Sequence, residues 1–164
     1  MVRDNEIQRL IKYGQGMGVA VRFKPYIKYS KFEAEWALDG SEIVIFTKPR
    51  DSKLQKVLSL IHELSHHKAF VNNGRTIDPK IEEALDSDNN KIHRKRVLNM
   101  EVSDSQYWEE IYRDTDCRFN INILHREKEH DLWAYQIYSK TGKFPTHKEN
   151  LAKAKELRKK YRSK

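Results

Sequence analysis

The chain has 164 residues, of which 34% are charged and 38% are hydrophobic. This length suits one compact domain with a single core rather than two. The longest apolar runs, such as residues 43–46, are too short to span a bilayer, and residues 1–6 lack the apolar stretch of a secretory signal. The single cysteine, Cys117, excludes an intramolecular disulfide and a cysteine zinc ribbon. We therefore expect a cytoplasmic protein that does not enter a membrane.

The net charge of +8 is concentrated at the C-terminal end of the chain. Residues 140–164, here called the basic segment, hold ten Lys or Arg and two Glu, whereas residues 1–139 hold 22 basic and 22 acidic side chains. Such a segment can bind nucleic acid or an acidic partner. A solvated helix face rich in lysine is an equally good interpretation.

The N-terminal part of the chain predicts a helix followed by a small sheet. Apolar residues recur at helical spacing over residues 4–13, and the glycines that begin at Gly14 predict the end of that helix. Residues 19–23 predict a short strand. Apolar and acidic residues then alternate over residues 32–38, which is typical of a half-buried strand.

A hairpin is predicted next. Asp39-Gly40 fits a two-residue turn, and residues 42–47 return as a strand that is apolar on both faces. We expect a small antiparallel sheet of about three strands.

The rest of the chain predicts helices. Ser52 and Gln55 form a capping box that opens a helix through about residue 70, and a short helix follows Pro79. Long helices are predicted over residues 91–113 and 121–139. A second capping box then opens a final helix, whose apolar side is predicted to hold Leu151, Ala154, Leu157 and Tyr161. A helix, then strands, then helices indicate an α+β fold.

The motif His62-Glu63-Leu64-Ser65-His66 lies within the helix predicted from residue 52. Residues four apart lie on the same face of a helix, so His62 and His66 can bind one metal ion together. Glu63 can then act as general base toward a water on that metal. Apolar neighbours indicate that this helix is buried, where imidazoles without partners are costly. His67 points about 100° away around the helix and is not expected to join the site.

A catalytic zinc ion has three protein ligands, so a third ligand must come from another element. The helix predicted after residue 91 carries two carboxylates, Glu101 and Asp104, on a stripe that also holds Val97, Trp108 and Ile111. Buried carboxylates need partners. We therefore predict Glu101 as the third zinc ligand and Asp104 as the acceptor for the other N–H of a ligand histidine.

Three other residues remain rival third ligands by their distance along the chain, although none lies on so clear an apolar stripe: Glu82, Glu83 and His93. A different rotation of the helix would instead expose both Glu101 and Asp104 to water.

Residues 32–70 together with Glu101-Val102-Ser103-Asp104 resemble the small gluzincins, especially the ImmA/IrrE-like metallopeptidases. In that group a downstream helix supplies a glutamate ligand, usually followed four residues later by an acid; here Asp104 follows Glu101 by three. Lys68 stands where that group often has an apolar residue. The resemblance covers about residues 1–113, and it implies a zincin-like metallopeptidase domain over residues 1–139, with residues 140–164 as a basic helical extension of that domain.

The motif predicts a hydrolase that cleaves a peptide bond in a protein substrate with zinc-activated water and Glu63 as general base. The substrate is expected to lie extended along an edge of the sheet. A hydrogen-bond donor near the oxyanion would be Tyr107, Tyr112 or His93. The alternative function is a zinc-binding or basic nucleic-acid-associated accessory protein without peptidase activity.

Overall fold

The computed structural model describes residues 4–26, 34–49, 51–86 and 90–162. They form an α+β fold, as predicted, and Phe32 and Glu33 of the predicted second strand lie outside the described residues. In chain order the elements are α1 (Asp4–Gly16), β1 (Ala20–Pro25), β2 (Ala34–Trp36), β3 (Glu42–Thr47), α2 (Lys53–Asn72), α3 (Pro79–Asp86), α4 (Lys91–Asp104), a 3-10 turn (Ser105–Tyr107), α5 (Trp108–Asp114), α6 (Ile121–Thr141) and α7 (His147–Arg162).

The chain divides into two compact units, and the boundary between them falls inside the continuous helix α4. The first unit consists of Met1–Ile77 and Asp104–Phe119, and it contains the sheet, α1, α2 and α5. The second unit consists of Asp78–Ser103 and Asn120–Lys164, so the basic segment belongs to it together with α6.

The sheet has three strands in the order β1-β3-β2, so the predicted number of strands is confirmed. The predicted antiparallel arrangement is confirmed only for β2 and β3, where Trp36 is opposite Ile43. The prediction is wrong for β1, which runs parallel to β3 with Ala20 opposite Glu42. The central strand is the one whose residues Ile43–Ile45 are buried on both faces. Because a hairpin turn specifies only the pairing of its own two strands, the local sequence did not indicate the direction of β1.

The loop of the hairpin is longer than predicted. The amide of Ala37 donates to the carbonyl of Glu42 at 2.9 Å, which leaves the four residues 38–41 in the loop rather than Asp39 and Gly40 alone. The Gly40 amide donates to the Ala37 carbonyl at 2.8 Å, and the Asp39 carboxylate accepts from the Ser41 amide at 2.8 Å. These bonds stabilise a turn built inside a four-residue loop.

Helix α1 continues three residues beyond its predicted end at residue 13. Gly14 lies inside the helix, and a Cβ atom placed there would be 3.0 Å from Cδ2 of Leu64. That glycine therefore permits close packing of α1 on α2, and the chain turns at Gly18, which has a φ of +84°.

The single long helix predicted over residues 91–113 is wrong, because the chain forms α4, the 3-10 turn and α5 in succession. The predicted apolar stripe nevertheless persists across the interruption. All five of its residues are at most 8% exposed: Val97, Glu101, Asp104, Trp108 and Ile111. The prediction that both carboxylates are buried is confirmed.

The second unit is helical in its described residues, and the helices predicted after Pro79, over residues 121–139 and at the C-terminal end are confirmed. Thr146 and Glu149 form the predicted capping box of α7, because each backbone amide donates to the other side chain, at 2.7 and 3.3 Å. Leu157 is fully buried on α7, but Leu151 is 52% exposed, so its predicted place on the packed side is wrong. Leu151 precedes Leu157 by six residues, about 600° of helix rotation, which is about 120° short of two full turns and puts it on a different face.

Candidate metal centre

Helix α2 positions the motif His62-Glu63-Leu64-Ser65-His66 inside the first unit. Its N-terminus is stabilised by the predicted Ser52/Gln55 capping box. Leu60, Ile61 and Leu64 are fully buried, and α2 packs against β2, β3, α1 and α5. A helix that is covered on several sides needs apolar residues on nearly all of its faces, and α2 has them. The motif therefore lies within a packed core.

The two motif histidines direct the same ring nitrogen toward one point. Nε2 of His62 lies 3.0 Å from Nε2 of His66, and the ring centroids are 4.8 Å apart. Two nitrogens bound to one tetrahedral zinc ion are about 3.3 Å apart, given zinc–nitrogen bonds of about 2.0–2.1 Å. The observed separation therefore fits two ligands of a single metal after a small opening. Ser65 donates its hydroxyl to the carbonyl of His62 at 2.6 Å, within the same turn of the helix.

The other nitrogen of His66 is held by a buried carboxylate. Nδ1–H of His66 donates to Oδ2 of Asp104 at 2.7 Å, and the two side chains are 8% and 11% exposed. This bond places the proton on Nδ1 and leaves the Nε2 lone pair directed toward His62. It is the contact expected between Asp104 and a ligand histidine.

Glu101 lies on α4 one turn before Asp104, so both carboxylates occupy the same face of one helix. Glu101 is 6% exposed, and one of its oxygens lies within 4.8 Å of ligand nitrogens of both His62 and His66. Two imidazoles and one carboxylate are the ligand set of a gluzincin-type catalytic zinc site. These three side chains are therefore a chemically suitable ligand set that would hold a metal ion such as zinc.

The rival third ligands lie elsewhere. Glu83 on α3 is 62% exposed and pairs with Arg96 at 3.2 Å and with His93 at 3.8 Å. Glu82 is exposed on the same helix. In the described parts of the chain the other cluster of metal-binding side chains consists of half-buried neighbours on α6, namely Glu127, His130 and Asp131.

Two tryptophans flank the motif histidines, and the sequence did not single them out for this role. The Trp36 ring stacks on His66 at 6.3 Å between centroids, and the Trp108 ring meets His62 edge-on at 5.5 Å. Trp36 comes from β2 and Trp108 from the start of α5. The signal in the sequence that could have indicated this role is that both tryptophans lie on predicted apolar faces. The rings restrict the rotation of both imidazoles and exclude water from one side of each.

His67 is excluded from the centre, as predicted. It is fully buried; Nδ1 accepts from Nε1–H of Trp36 at 3.3 Å, and Nε2–H donates to the Met17 carbonyl at 3.1 Å. Both nitrogens thus have partners away from the metal ligands. Burial lowers the pKa of His67, which keeps the ring neutral with its proton on Nε2.

Lys68 connects three helices of the first unit. Its ammonium bonds to the Tyr13 hydroxyl at 2.6 Å and to the Glu110 carboxylate at 2.8 Å. Burial alone would lower the pKa of Lys68, but the bonds to Glu110 and Tyr13 outweigh it, so the pKa is raised. The charged lysine therefore ties α1 and α5 to α2, two residues beyond His66.

The three predicted oxyanion donors have different surroundings. The Tyr112 hydroxyl donates to the carbonyl of Phe119, and burial raises its pKa. The Tyr107 ring lies 6.0 Å from the Lys68 ammonium nitrogen. His93 is near Glu83, as described above. None of these contacts directs one of the three side chains to the motif histidines.

No helix in the described parts of the chain is long and apolar enough to cross a bilayer. Comparison of the sequence with protein-family models finds no match, and neither the curated proteins nor the solved structures give a significant one. The functional conclusion therefore depends on the residues and their geometry.

Proposed function

We propose that this protein is a zinc-dependent metallopeptidase, similar to the ImmA/IrrE-like gluzincins. The observation that carries the proposal is the convergence of the two Nε2 atoms of His62 and His66 at 3.0 Å, with Asp104 bonded behind His66. Paired imidazoles on one helix, oriented by a buried carboxylate, are typical of a metal site that needs a defined tautomer. Glu101 supplies the third ligand.

Glu63 and Asp104 have different roles in the proposed peptide hydrolysis. When bound, zinc would acidify a water molecule and polarise the scissile carbonyl. Glu63, adjacent to His62 and 7% exposed, takes a proton as general base and passes it to the leaving amine. Asp104 keeps His66 in the ligating tautomer. Glu63 is not needed for metal binding. Its presence beside His62 therefore favours a peptidase over a protein that only binds zinc.

The free edge of β2 is the proposed place for the substrate backbone. The Ala37 amide donates to the Glu42 carbonyl across the hairpin. Bonding alternates along an antiparallel strand, so the N–H and C=O groups of Ala34 and Trp36 point away from β3. In the described residues no strand pairs with that edge. An extended peptide can add there as a further strand, beside the Trp36 ring that stacks on His66.

The proposal is tested by zinc content and cleavage measured on the same preparations. We expect about one zinc ion per chain in the native protein and in Glu63→Gln, and loss of zinc in His66→Ala and Glu101→Ala. Cleavage of a fluorescein-labelled unfolded protein should fall about 100-fold or more in Glu63→Gln, because the general base is lost while the metal stays. His147→Ala, at the exposed start of α7, is the matched histidine control and should retain both zinc and activity.

Each result separates the proposal from its alternative. Unchanged cleavage by Glu63→Gln would exclude Glu63 as the base. Zinc retained by Glu101→Ala would assign the third ligand to another residue. Stoichiometric zinc in a native protein that cleaves no peptide bond in this assay would favour the alternative, a zinc-binding accessory protein.

A further inference from the structure

Helix α7 carries most of the charge excess of the protein and has two distinct sides. Its inner side holds Leu157, which is fully buried, and Tyr161, whose hydroxyl donates to Glu129 of α6 at 2.9 Å. Lys160 also bonds Glu129, at 2.6 Å. This side attaches α7 to α6, and its charges are balanced within the second unit.

The opposite side of α7 presents a row of exposed cations. Lys148, Lys155 and Arg162 are seven residues apart, two helical turns, and all are exposed. Lys155 lies about 200° around the helix from Leu157, so the row faces directly away from the buried side. With a rise of 1.5 Å per residue the row is about 21 Å long.

The carboxylates of α7 do not neutralise this row. The helix contains two, Glu149 and Glu156. Glu149 bonds Thr146 in the capping box at 2.7 Å, and Glu156 bonds Lys153 at 2.7 Å. A row of like charges repels itself, and a polyanion that lies along it relieves the repulsion.

The chemistry of the row favours one class of polyanion. Leu151 is the one large apolar side chain of α7 that is exposed in the described residues, so the helix lacks the apolar face that would insert into a membrane surface. Tyr161 lies on the inner side of α7, so the outer side lacks the aromatic anchors typical of protein interfaces. Duplex nucleic acid carries one phosphate charge per about 1.7 Å of its axis, so a 21 Å length offers roughly twelve.

We propose that the outer face of α7 binds the phosphate backbone of duplex nucleic acid without reading its sequence. Lys148, Lys155 and Arg162 contact phosphates, and binding of this kind is salt-dependent because each contact releases condensed counterions. The inference is independent of the proposed peptidase activity.

The test uses the full chain and a fluorescently labelled 20-base-pair DNA of arbitrary sequence, with affinity measured over a range of salt concentrations. The triple variant Lys148→Gln, Lys155→Gln, Arg162→Gln should bind at least about tenfold more weakly at 100 mM salt. The slope of log affinity against log salt should fall by about 2.7, that is about 0.9 for each lost contact.

A control variant removes the same charge from exposed positions off the row: Lys12→Gln, Lys24→Gln, Lys95→Gln. It should bind DNA as the native chain does, and circular dichroism should show equal helix content in both variants. Equal weakening in the two variants, or no DNA binding at low salt, would overturn the proposal. Tighter binding to phosphatidylserine vesicles or to a polyglutamate peptide than to DNA would overturn it as well.

Discussion

Nδ1 of His66 and Oδ2 of Asp104 are 2.7 Å apart, and both side chains are buried. The two residues are separated by 38 positions in the chain, and α4 ends at Asp104 against the helix that carries the motif. Because the carboxylate accepts a hydrogen bond from Nδ1–H, His66 is held in the tautomer that presents the Nε2 lone pair to a metal. The bond also gives the buried carboxylate the partner it requires.

Asp104→Ala should weaken zinc binding about 10–100-fold, because the orienting partner of a metal-bound histidine is lost. The affinity is measured by competition with a chromophoric chelator, and nitrogen NMR reports the His66 tautomer. Asp114→Ala is the control, since Asp114 contacts Lys68 at 3.8 Å and Tyr13 at 3.3 Å instead of a motif histidine. Equal affinities of Asp104→Ala and the native chain would contradict the role assigned to Asp104.

Gly40→Ala should destabilise the hairpin by about 2–4 kcal/mol, from left-handed backbone strain and overpacking together. Gly40 has a φ of +72°, and a Cβ atom there would lie 2.4 Å from Cε1 of Phe70 on α2. Gly74 has a similar φ of +69°, but a Cβ atom there would meet no atom within 4 Å. Gly74→Ala should therefore cost only the backbone strain, about 1 kcal/mol. Urea denaturation measures the free energy of unfolding of both variants. An equal decrease in the two would show that the contact with Phe70 contributes nothing.

The cap of α7 should make a pH-dependent contribution to stability. The Thr146 hydroxyl and amide donate to the Glu149 carboxylate and lower its pKa below the ordinary value of 4.5. A lowered folded-state pKa means that the stabilisation is present above the unfolded-state pKa and is lost as the pH falls through the folded-state value. Carbon NMR of the Glu149 carboxyl should show the low pKa, and Thr146→Ala should return it toward 4.5. An unchanged midpoint in that variant would contradict the assigned cause.

Much of the candidate site was predictable from short-range patterns. The motif, the capping box at Ser52 and Gln55, and the exclusion of His67 depend on helix geometry within a few residues. The burial of Glu101 and Asp104 followed from one apolar stripe, and the residues of that stripe on both sides of the 3-10 turn are buried.

Other features depended on contacts between residues far apart in the chain. β3, the most apolar strand, lies at the centre of the sheet and β1 runs parallel to it, whereas the local sequence specified only the hairpin. The selection of Trp36 and Trp108 as the rings beside the histidines depended on how β2 and α5 pack on α2. Residue types and periodicity thus identified the candidate metal ligands, since helix geometry is local. Only the packed chain determined which aromatic ring lies beside each histidine and that Asp104 bonds His66, because those partners meet across elements that no local pattern connects.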